Sequence, residues 1–81
     1  MIAGMPTLLR EAGYAFRFRA SDRREPPHVH VEGYGGGAKF WLSDRRLVRS
    51  RGYNRHQLAQ IAGIVESHAD EFLSRWHEYF G

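Results

Sequence analysis

No cysteine occurs among the 81 residues, so no disulfide can stabilise this small chain. That fits a reducing compartment, and a cytoplasmic location is expected. Apolar runs are too short to span a bilayer, which makes a membrane an unexpected partner. No cationic start leads into the apolar stretch of a signal peptide. Lysine is nearly missing too, because Lys39 is the one lysine among twelve cations.

What is present is arginine and aromatic bulk. Residues 1–55 carry eleven cations against five acids, whereas residues 56–81 carry Arg75 against Glu66, Asp70, Glu71 and Glu78. A basic body with an acidic tail suits an anionic partner, RNA above all, or is simply a solvated basic surface. Two Trp, four Tyr and five Phe can fill a core at low residue cost. A chain of this length buries a modest core, and a metal or a partner chain often supplements it.

Met1–Gly4 is read as a leader or start-site extension, and residues 5–81 as one small domain. Tyr14, Phe16 and Phe18 alternate with Ala15, Arg17 and Arg19, the pattern of a half-buried strand. A polar loop, Ala20–Pro27, leads to a second strand over His28–Glu32. Gly33 to Gly37 reads as a longish hairpin loop into a third strand, Ala38–Leu42. Ser43–Gly52 is ambiguous, a short edge strand or an irregular arm. Asn54 with Gln57 three residues later signals a helix N-terminus. Leu58, Ile61, Val65, Phe72, Trp76, Tyr79 and Phe80 then recur at helical spacing to about residue 79. The expected fold is α+β: a three- or four-stranded antiparallel sheet with one long C-terminal helix packed on one face.

Pro26-Pro27-His28-Val29-His30-Val31 is the most informative stretch. Strand side chains alternate between faces, so Val29 and Val31 anchor the core while both imidazoles share the other face. That face is expected to be open and to show Arg17, Arg19, His28, His30, Glu32, Lys39 and Trp41. Arginines engage phosphate and Trp41 can stack a base. For RNA cleavage, His28, His30 and Lys39 are the acid–base candidates, beside a cation that stabilises the developing charge. The plainer alternative is an ordinary wet sheet face. His-x-His on one strand can also chelate an ion, and if a metal is held the expected ligands are His28, His30 and Glu32. No cofactor is otherwise expected. The arm Arg45, Arg46, Arg49, Arg51 and Arg55 is a phosphate clamp or a solvated turn. His68 sits on the helix's apolar stripe and reads as a core histidine, whereas His56 and His77 look peripheral.

Several of these stretches occur together in a recognisable combination: Met5-Pro6-Thr7, Gly13 to Phe18, Pro26 to Val31, Ala38 to Leu42, Arg51-Gly52-Tyr53 and Trp76 to Phe80. Jointly they resemble the small prokaryotic family of domain of unknown function 4160, over essentially residues 5–81. One departure is Arg23 after Asp22, where the family often carries a histidine. The resemblance implies no established activity. It implies a place in small toxin–antitoxin-like gene pairs, and the layout is loosely similar to HicA-type messenger-RNA-cleaving toxins.

The leading expectation is therefore a toxin–antitoxin-type RNA-binding protein, with metal-independent ribonuclease activity left open. Its nucleic-acid contacts would be Arg17, Arg19, Trp41, Arg45, Arg46, Arg49 and Arg51. The alternatives are a non-catalytic module that binds a small cognate protein through the helix end, and a His-x-His metal binder. A homodimer is a further open alternative.

Overall fold

The computed structural model describes residues 7–81. The proposed leader, Met1–Gly4, lies outside the described residues. Five strands form one antiparallel meander in chain order: β1 Thr7–Glu11, β2 Tyr14–Arg17, β3 His28–Gly33, β4 Gly36–Trp41 and β5 Leu47–Arg51. A short 3₁₀ turn, Ala20–Arg24, joins β2 to β3, and one helix, α1 Arg55–Phe80, closes the chain. The fold class is α+β, with five strands rather than three or four.

β1 is the strand beyond the expected four, and β5 is the edge-strand alternative for Ser43–Gly52; alternation marks neither clearly. In β1, Leu8 and Leu9 are adjacent, and the register shifts between Thr7 and Leu9 where it pairs with β2. A bulge breaks the period of two on which the sequence signal depends. Leu47-Val48 in β5 is likewise unalternated, and its pairing with β4 shifts between Lys39 and Phe40.

Two tight turns fix the register. Ala12-Gly13 joins β1 to β2 with φ of 55° and 86°, and Tyr34-Gly35 joins β3 to β4 with φ of 54° and 76°. Both central residues in the left-handed region suit the right-handed twist of the flanking strands. The expected longish loop is thus a two-residue turn, and Gly36 and Gly37 belong to β4.

Asn54 caps α1 as its sequence signals. Its Oδ1 accepts from the Gln57 backbone N–H at 2.8 Å, and Gln57 Oε1 accepts from the Asn54 N–H at 2.9 Å. The helix lays Ile61, Ile64, Val65, Phe72 and Trp76 on Tyr14, Phe16, Phe18, Val29, Val31, Phe40 and Leu42. Phe72 stacks on Phe16 at 5.9 Å between ring centres, and Trp76 meets Phe18 edge-on at 5.1 Å. Tyr79 and Phe80 also reach Phe18. The helix end is thereby part of the core rather than a projecting arm. No helix among the described residues is long and apolar enough to cross a membrane.

Candidate functional site

Strand pairing assembles the second sheet face in rows. Arg17, His30, Lys39 and Arg49 are successive cross-strand partners, as are Ala15, Glu32, Gly37 and Arg51, while His28 pairs with Trp41. The expected grouping of His28, His30 and Lys39 therefore holds. Their expected exposure does not: His28 is 1 %, His30 5 % and Lys39 6 % exposed. The 3₁₀ turn folds over this end of the face and covers it with Asp22 and Glu25.

Asp22, itself buried, is the centre of a polar cluster. Its Oδ2 accepts from the Arg19 backbone N–H at 2.7 Å. Its Oδ1 accepts from His30 Nε2 at 3.0 Å and also lies 3.0 Å from His28 Nε2. Burial pushes the Asp22 carboxyl up, but the Arg19 N–H and the neighbouring imidazoles outweigh it, and the net shift is downward. For His30, burial dominates and lowers the pKa, against the opposing hydrogen bond and charge of Asp22. Asp22 is thus held as the anion and His30 as neutral imidazole.

His28 is fixed from the other side. Its Nδ1 lies 2.9 Å from the Pro26 carbonyl, which can only accept, so Nδ1 carries the proton. The His28 ring packs edge-on against His30 and Trp41 and at a tilt against Trp76, with ring centres 5.0, 5.8 and 5.3 Å away.

Lys39 donates to Glu25 and lies 5.2 Å above the Trp41 ring. The Lys39 hydrogen bond is the main reason the exposed Glu25 carboxyl titrates below its ordinary value. Glu32 faces Arg17 at 3.6 Å, away from the histidines' ring nitrogens, so the acid that joins them is Asp22.

Beside the cluster runs a groove of about 550 Å³, bordered by Arg19, His30, Glu32, Lys39, Arg49 and Arg51. Gly35, Gly36 and Gly37 line the same groove without side chains. Among the described residues Arg19, Arg49 and Arg51 have no carboxylate partner. The remaining nucleic-acid candidates lie elsewhere. Arg17 is engaged by Glu32, and Trp41 packs beneath Lys39 and against His28. Arg45 reaches Glu66 and Asp70 on α1, at 3.6 and 3.8 Å, while Arg46 is exposed in the β4–β5 turn. The arginine arm is thus split between the helix side and the groove.

Asp22 and Glu25 are the site residues that sequence reasoning missed. They stand in a charged loop with no periodicity, and only the fold of the 3₁₀ turn brings them over the strand. Arg23, at the position of the family departure, is exposed.

A family model described as "Domain of unknown function (DUF4160)" matches residues 13–77, which include the whole cluster and groove. No curated protein and no solved structure matches the chain.

Proposed function

The chain belongs to the DUF4160 family, and from that premise we propose that it binds RNA by its phosphate backbone along the basic groove. The observation that carries this reading is the set of three unpaired guanidiniums, Arg19, Arg49 and Arg51, converging on one glycine-lined groove. Planar guanidinium forks match phosphate oxygens and hold their charge at any relevant pH. Gly35 leaves open space at the groove, and the Arg51 guanidinium lies over Gly37. Toxin–antitoxin pairing is the setting in which this reading fits the family resemblance.

The reading is binding rather than metal-independent cleavage. His28 lies beneath neighbouring rings and cannot touch a 2′-hydroxyl, and the His30 Nε2 proton is given to Asp22. Lys39 is tied to Glu25. The helix-end aromatics Tyr79 and Phe80 are half-buried against Phe18 and Trp76, so the groove rather than the helix end carries this reading.

Fluorescence anisotropy with a labelled, mixed-sequence single-stranded RNA tests the proposal. Arg19→Ala, Arg49→Ala and Arg51→Ala should each weaken binding about tenfold. Each should also make the salt dependence shallower by about 0.7 in log–log slope. Arg55→Ala, at the helix start, should leave affinity unchanged. Equal losses in all four variants, or no saturable binding by the parent protein, would sink the proposal.

A further inference from the structure

We propose that Asp22, His28 and His30 form a binding site for one divalent transition-metal ion of the zinc, cobalt and nickel type. Each of the three offers a ligand atom, these atoms lie within 4.8 Å of one another, and all three residues are buried.

The argument turns on His28 Nε2. With its proton on Nδ1, donated to the Pro26 carbonyl, His28 presents a lone pair at Nε2. That lone pair faces the Asp22 carboxylate oxygen at 3.0 Å, in a nearly solvent-free position. The approach is not a hydrogen bond, and His28 Nε2 has no hydrogen-bond partner. Two electron-rich atoms in contact need a cation between them, either a second proton on His28 or a metal ion.

The geometry favours the metal. An ion about 2.1 Å from both atoms sits well off the line joining them. A lone pair misaligned for a hydrogen bond is therefore the arrangement that a shared ion requires. His30 Nε2 lies at the same 3.0 Å from the same oxygen, and an ion taken up there replaces its proton, which moves to His30 Nδ1.

Supporting features complete the site. The Pro26 carbonyl fixes the His28 tautomer, and the Arg19 N–H on Oδ2 orients the carboxylate with Oδ1 toward both imidazoles. Two imidazoles and one carboxylate suit borderline transition ions, whereas Mg²⁺ and Ca²⁺ demand oxygen ligands. His30 and Arg19 also border the groove, which places the ion at its edge. An ion there would pin the 3₁₀ turn onto β3.

The site stands independently of the RNA reading, because metal alone is the probe. Untagged full-length protein, stripped with chelator and dialysed, is titrated calorimetrically with Zn²⁺ and spectroscopically with Co²⁺. The expected result is one ion per chain, a cobalt spectrum of low coordination number, and a raised Tm. His28→Ala and His30→Ala should each lose at least about tenfold in affinity, while His56→Ala and His77→Ala should not. Because a variant of a buried residue can fail to fold, ¹⁵N imidazole shifts of the parent protein supply a second readout. On adding Zn²⁺ the Nε2 resonances of His28 and His30 should move and those of His56 and His77 should not. Absence of stoichiometric binding, or shifts confined to the peripheral histidines, would overturn the site. The cluster would then be a structural polar cluster that holds no ion.

Discussion

His68 is a side chain whose setting departs from its position in the helical pattern. Three residues after Val65 and four before Phe72, it reads as core, yet it is only half-buried and stacks on Phe72 at the margin. Its Nδ1 meets Glu71 at 3.1 Å and its Nε2 meets Glu11 at 3.2 Å. Both ring nitrogens face carboxylates, so the charged imidazolium is the form that satisfies both. The Glu71 hydrogen bond is the largest influence. With Glu11 it raises the pKa against a smaller opposing effect of burial. A folded-state pKa above the unfolded value gives stability that is fully present below the ordinary histidine pKa and fades as pH rises through the raised one. His68→Gln should therefore lower Tm relative to the parent at about pH 5.5 and converge with it near about pH 9. Thermal melts across that window check the sign, and a Tm difference that grows with pH would refute it. Because Glu11 is in β1, this one contact ties the first strand to the helix.

Among the elements, those encoded by near neighbours were legible and those encoded by distant ones were not. The start of α1 rests on Asn54 and Gln57, three residues apart, whose reciprocal bonds satisfy orphan amide groups of the first turn. Asn54→Ala should cost about 1 kcal/mol, measured as a shift in the urea midpoint at unchanged slope. A change in slope would mean instead that the compactness of one state had altered. Strands β2, β3 and β4 were equally legible, because Tyr14-Ala15-Phe16 and His28-Val29-His30-Val31 alternate cleanly. β1 is not legible and β5 is legible only as one of two alternatives, because adjacent apolar residues and bulges erase the period of two. The turn at Tyr34-Gly35 was overestimated in length. A run of glycines reads as loop, whereas here Gly36 and Gly37 pair with Gly33 and Glu32 in the ladder.

For the whole molecule, the sheet divides two kinds of energy. One face carries the aromatic core under α1, and Phe72, fully buried against Phe16, stands near its middle. Total stability for a chain of this size is about 4–12 kcal/mol. Phe72→Ala should remove about 3–5 kcal/mol of it, and denaturant unfolding should show a chain at or near the threshold of folding. Retention of more than half the parent stability would show that the core collapses around the gap. The other face carries the buried Asp22–His28–His30 cluster and the arginine groove.

The sequence by itself determined the two-sided sheet, the helix and its cap, the pairing of His28 with His30, and the excess of arginine. Each follows from residues close along the chain, where spacing alone decides which side chains share a face. Only the tertiary structure decided that the imidazoles are covered rather than open, and that Asp22 rather than Glu32 joins them. It also decided that Arg19, Arg49 and Arg51 border one groove while Arg45 turns to the helix. Those outcomes depend on where a 3₁₀ turn folds back and how five strands register. Such long-range placements are fixed by packing and backbone hydrogen bonding across the whole domain, and no local pattern carries them.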